Sequence, residues 1–174
     1  MAAIRERDIP AGERAWQQWN DAAQRLREDG ADSESLTPTL PRPTWAMAVR
    51  YTLYLLERKA PGPGVEVRVA PWGAVKILDG PASDPHNLTP PDVIELDPEV
   101  WLRLAAGITT WSQEKDAGRI TAVGERDDLS DLLPLCPAAG ARTYRPSGMG
   151  GTVGLPPMPT HDNASATRGA YSLT

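Results

Sequence analysis

Aliphatic residues are crowded into one stretch of this chain. Of its 32 Leu, Ile and Val residues, 24 lie between positions 44 and 135, while the 82 positions outside hold eight. Spread evenly, that content would border on the range of disordered chains; concentrated, it suffices for one ordinary domain. With no phenylalanine and six tryptophans, any core must combine those aliphatics with indoles. The distribution predicts three parts: an N-terminal helix and linker over 1–43, an α+β domain over 44–135, and a flexible tail over 136–174. The tail holds six Gly and five Pro among 39 residues, too little apolar surface to offset the entropy of ordering it. LPPMP at 155–159 has polyproline II character, the signature of a peptide that docks on a partner, although a plain tail is the more ordinary reading.

Periodicity divides the ordered part. Ala15, Trp16, Trp19, Ala22, Ala23 and Leu26 recur at three- and four-residue spacing between Pro10 and Gly30, the pattern of an amphipathic helix. In the segment from Pro43 to Gly62, Ala46, Val49, Leu53 and Leu56 form one stripe and Ala48, Tyr51 and Leu55 another, so this helix should be covered on two sides. Pro61, Gly62 and Pro63 end it. The period then falls to two. Val65, Val67 and Val69 oppose Glu66 and Arg68, and after Pro71, Trp72 and Gly73 the run AVKILD alternates again, predicting an antiparallel hairpin. A polar loop over 80–91 precedes a third strand at 92–96.

Asp97 and Pro98 then read as N-cap and first residue of a short helix with Val100, Trp101, Leu104 and Ala105 inward and Gly107 as its left-handed stop. Thr110 and Gln113 fit a capping box opening a second short helix that ends at Gly118. Residues 119–123 alternate as a fourth strand, and 129–133 make a last helical turn or two. The expected order is ααβββααβα, with a small mixed or antiparallel sheet.

Charge and side-chain chemistry exclude several functions. The chain is acidic, with 18 Lys and Arg against 23 Asp and Glu, and it has no basic run to hold nucleic acid. The single cysteine, Cys136, excludes an internal disulfide framework and a thiolate-dense zinc site. No apolar run approaches the ~18 residues of a membrane span, and no hydrophobic segment follows MAAIRERD, so a cytoplasmic protein is expected. His86 and His161 lie in a loop and in the tail, positions poorly suited to pairing with Cys136 as base and nucleophile. Glu125, Asp127 and Asp128 could collect a hard cation, yet acids before a short helix favour its N-terminus in any case. GMGG at 148–151 has no strand before it and is no phosphate loop. No catalytic residue, metal ligand or cofactor is expected.

The segments AVRYTLYLLERKAPG at 48–62, VEVRVAPWGAV at 65–75, TPPDVIELDPEVWLRLAAG at 89–107 and GRITAVGERDDLSDLLPL at 118–135 closely resemble the actinobacterial proteins of the bacterial sterol carrier orthologue family, in the sterol carrier protein type 2-like superfamily. A similar domain accompanies the mycothiol-dependent maleylpyruvate isomerases, whose metal-binding helical bundle has no resemblance in this sequence. The resemblance implies a curved mixed sheet with helices packed on one face, around an apolar tunnel that in some members takes sterols, fatty acids or acyl-CoA. Two departures stand out. Ala70, Pro71 and Trp72 replace a usual proline, proline and phenylalanine, and a longer loop, ASDPHNLTPP at 82–91, replaces the family's His-Thr-Arg-Gly, so any role of that arginine is absent or relocated.

Two functions follow. One is a non-enzymatic carrier-like module binding a small apolar ligand between the sheet and the 44–59 and 98–106 helices. The inward-phased residues Val49, Leu53, Leu56, Val67, Val75, Ile77, Ile94, Val100, Trp101 and Leu104 would then line the cavity. The other is a protein-interaction or accessory domain in which the same ten residues are ordinary close-packed core. The first helix, with Trp16 and Trp19, could cover its own domain or a second copy.

Overall fold

The computed structural model describes residues 3–80 and 92–135. The readings made for the 82–91 loop, His86, Cys136, GMGG, LPPMP, His161 and the 136–174 tail lie outside the described residues. After a 3-10 turn at Glu6–Asp8, the elements are α1 (Ile9–Glu28), α2 (Arg42–Lys59), β1 (Pro61–Val69), β2 (Gly73–Ile77), β3 (Asp92–Leu96), α3 (Pro98–Ala106), α4 (Trp111–Asp116) and β4 (Ile120–Val123). A second 3-10 turn follows at Ser130–Leu132. The class is α+β, with one four-stranded sheet.

Two sequence signals set local boundaries directly. Gly107 adopts φ 70°, ψ 27°; its N–H donates to Leu104 O and the N–H of Ile108 to Arg103 O, so the last turn of α3 closes on its own carbonyls. At α4, Gln113 N–H donates to Thr110 Oγ1 (3.3 Å) while Thr110 N–H donates to Gln113 Oε1 (2.9 Å), completing the capping box.

Other local readings need correction. Asp97 holds the N-cap position of α3 in extended conformation, but its side chain makes no capping bond. The closing element is a single 3-10 turn. Strand β1 starts at Pro61, inside the stretch read as a helix stop, because the backbone there wraps around Leu78. Both Pro61 and Val65 are register partners of Ile77, which marks a bulge. Within it Gly62 has φ 156°, and a Cβ there would lie 2.1 Å from Leu78 O, so only glycine fits. Strand β2 ends at Ile77, since Leu78 turns to φ 61°.

The sheet order is β2-β1-β3-β4, with β1 antiparallel to β2, parallel to β3, and β3 antiparallel to β4. Its inner face carries Val65, Val67, Val69, Val75, Ile77, Ile94 and Leu96, all buried. Its outer face carries Glu66, Arg68, Lys76 and Glu95, with Arg68 held by Glu66 at 2.5 Å and by Glu95 at 3.0 Å. Helix α2 packs on β1, β2 and α3 with one side and on α1 with the other, as its two stripes require. Helix α3 is buried nearly all round: of its residues only Glu99 is partly exposed.

Candidate functional site

A ligand of such a domain would have to enter between the sheet and helices α2 and α3, where the amphipathic elements turn their apolar faces. Val49, Leu53 and Leu56 come there from α2, Val67 from β1, Val75 and Ile77 from β2, Ile94 from β3, and Val100, Trp101 and Leu104 from α3. The structure brings all ten into one apolar cluster. None has more than 3% of its surface exposed, and for seven of them the figure is zero. No space wide enough for a water molecule therefore opens beside those seven.

One polar contact crosses this interior. The indole Nε1–H of Trp101 donates to Thr52 Oγ1 at 2.8 Å, and that hydroxyl reaches back to the carbonyls of Ala48 (2.9 Å) and Val49 (3.0 Å) of its own helix. Sequence reading placed Trp101 inward but missed Thr52, which sits between the two apolar stripes of α2. Its only signal was a small hydroxyl residue at the phase of a core position.

Beside the cluster lies a buried ion-pair network that no sequence pattern announced. Arg103 donates through Nε to Glu114 Oε1 (2.9 Å), through Nη2 to Glu114 Oε2 (3.2 Å) and through Nη1 to Leu36 O (3.3 Å). Glu114, with no exposed side-chain surface, also accepts from Thr109 Oγ1 at 2.7 Å and from Arg119 Nε at 2.5 Å, and Arg119 reaches Glu34 at 2.7 Å. Burial alone would raise the Glu114 carboxyl, but the hydrogen bonds from Arg103, Thr109 and Arg119 outweigh it and hold it below the usual carboxylate range. The network ties α3, α4 and the segment joining α1 to α2.

A second buried carboxylate, Asp92 at the start of β3, accepts from Glu125 N–H (2.8 Å) and Arg126 Nε (2.7 Å). Burial again opposes its ionisation, and the bonds from Arg126 and Glu125 again prevail, so its pKa is lowered. Arg126 donates further to Gly64 O and Asp79 O, clamping β1 and the end of the hairpin to β3. Of the three acids considered for a cation, two are engaged elsewhere: Asp127 pairs with Lys115 (2.7 Å), and Asp128 Oδ1 accepts from Ser130 N–H (2.8 Å) at the closing turn, while Glu125 is exposed. Both carboxylates of the interior are thus neutralised by arginine, which suits structure rather than proton transfer.

Of the ten residues, Leu104 and Val75 border depressions of the described surface. One depression of about 420 Å³ touches none of the ten and sits at the carboxyl ends of β1 and β3 among Arg68, Glu95, Asp97 and Arg119. A smaller one of about 200 Å³ touches Leu104 beside Trp111, Leu133 and Pro134, and another of about 220 Å³ touches Val75 beside Glu57 and Lys76. No helix of the described residues is long and apolar enough to cross a membrane.

Among known families, a model described as bacterial SCP ortholog, SCP standing for sterol carrier protein, matches residues 41–135, more than half of the chain. No curated protein matches it.

Proposed function

The chain belongs to the bacterial SCP ortholog family, and on that premise we propose that it is a non-enzymatic cytoplasmic accessory domain of sterol-carrier-like fold that acts through its surface, its interior being filled. The observation that carries this reading is the closure of the compartment between the sheet and helices α2 and α3. The ten side chains that would line a ligand cavity pack on one another instead. A sterol or acyl chain needs a concave site on the order of 300–1,000 Å³, and close packing of large side chains leaves none between the sheet and these two helices. The pairing of Glu114 and Asp92 with arginines supports the non-enzymatic part, because neither carboxylate is free to exchange a proton near neutral pH.

Family membership favours a second reading, a carrier for a small apolar ligand. The ligand would then lodge among the same ten residues by parting α3 from the sheet, next to Trp101.

Titration with apolar ligands separates the two. A filled interior gives no saturable change in tryptophan fluorescence when fatty acid, acyl-CoA or sterol is added, and Trp101→Ala lowers stability by about 3–5 kcal/mol, the cost of emptying a packed aromatic site. Saturable one-to-one binding of any of these lipids, lost in Trp101→Ala, would establish the carrier reading and overturn the first.

A further inference from the structure

Among the described residues no strand pairs with the outer edge of β4. Natural edge strands are usually blunted by lysine, proline, a bulge or a covering element, because unpaired backbone groups template further pairing. Ile120–Val123 reads ITAV, without charge or proline, and no register shift interrupts its ladder with β3. On the outer face Val123 is 64% exposed, the one large hydrophobic residue so placed among the described residues. Its cross-strand partner is the half-buried Val93.

We propose that this edge pairs with the same edge of a second copy of the chain, antiparallel about a two-fold axis through Ala122, so that the two sheets become one. The inference goes beyond the reading above and stands whether or not the interior takes a ligand. A two-fold contact of this kind is self-complementary and closes after two copies.

Side chains select the axis. Residues directly opposite in a sheet share a face, so an axis through Ala122 sets Val123 against Thr121 of the second copy and carries the Val93–Val123 apolar strip across the junction. It also brings Glu125 level with the partner's Arg119. Glu125 is exposed, and its carboxylate has no hydrogen bond or ion pair among the described residues. Arg119 is one-third exposed, and Glu114 and Glu34 fix its guanidinium at the end of the strand. Gly124, at φ 116°, bends the chain just before Glu125, so this pair flanks the ladder rather than continuing it. Moving the axis one residue, to Thr121, would set Val123 against Arg119 and leave Glu125 past the end of the strand. Charge complementarity and apolar continuity therefore choose the same register.

Sedimentation equilibrium of the full chain over a wide concentration range tests this. The expected result is a reversible monomer–dimer equilibrium that Val123→Lys shifts to monomer without changing the far-ultraviolet dichroism, since that side chain is exposed in the single chain. In a Cys136→Ser background, Ala122→Cys should form a disulfide-linked dimer on mild oxidation. An axial residue meets its own copy at about 4.5–5.5 Å between Cα atoms, within disulfide reach, whereas Val123→Cys in the same background meets Thr121 and should cross-link poorly. A parent that is monomeric at every concentration overturns the proposal. So does a dimer that survives Val123→Lys and leaves Ala122→Cys uncrosslinked, because its interface would lie elsewhere.

Discussion

Gly107 shows how much one backbone conformation carries. Its left-handed φ of 70° lets α3 end and α4 begin within four residues, and a Cβ there would approach Pro134 Cβ to 3.2 Å. An alanine at 107 would meet both the intrinsic penalty of that conformation and the proline ring. Gly107→Ala should therefore lower stability by roughly 1 kcal/mol or more in urea denaturation, although alanine would favour a continuous helix. A variant as stable as the parent would mean that the turn tolerates a side chain and that Pro134 yields. Gly124 is more constrained still: a Cβ there would fall 1.8 Å from Asp92 Oδ1, so the bend after β4 and the Asp92–Arg126 clamp require each other.

At the scale of elements, the buried acid–base network decides how the helices hold together. Glu114 carries a folded-state pKa below its unfolded value, so the stability it contributes is fully present above that unfolded value, about 4.3, and is lost as pH falls toward the folded one. Asp92 acts in the same sense. Glu114→Gln should therefore lower the melting temperature at neutral pH, by a loss on the order of 3–5 kcal/mol as Arg103 is left buried without its counter-charge. Below about pH 4 its melting temperature should fall less steeply than the parent's, because the titrating group has gone. Thermal melts from neutral to acid pH check both parts, and parallel curves for the two proteins would contradict the assignment. This network also marks the limit of what was legible beforehand. The capping box at Thr110, the stop at Gly107 and the bounds of β3 could be read because each depends on neighbours within a few positions. The pairing of Arg103 with Glu114 and Leu36, the parallel alignment of β1 with β3, and Arg126 reaching Asp92 join residues that only the tertiary fold brings together. The inward phase of the ten candidate residues was legible in the same local way; the space left between them depends on the summed shapes of side chains from five elements, which periodicity does not encode.

For the molecule as a whole, the folding unit is larger than the family match. The match begins at residue 41, yet Ala15, Trp16, Trp19 and Ala23 of α1 and Leu36 of the linker belong to the same apolar cluster as the sheet and α3. Deleting residues 1–40 should expose the outer side of α2, remove the carbonyl that Arg103 binds, and lower the melting temperature by many degrees; an unchanged melt would show that α1 adds nothing to the core. The indoles supply an independent gauge of the same docking. Trp16 and Trp19 stack at 5.6 Å, Trp19 meets Trp45 edge-on at 6.0 Å, and Trp45 lies 6.2 Å from Trp72 at the hairpin tip. Transition dipoles this close in a fixed, chiral arrangement do not absorb independently. They form an exciton-coupled array running from α1 to the hairpin, whose signed couplet in circular dichroism should change when α1 lifts away and the Trp19–Trp45 coupling is broken, even while every helix remains intact.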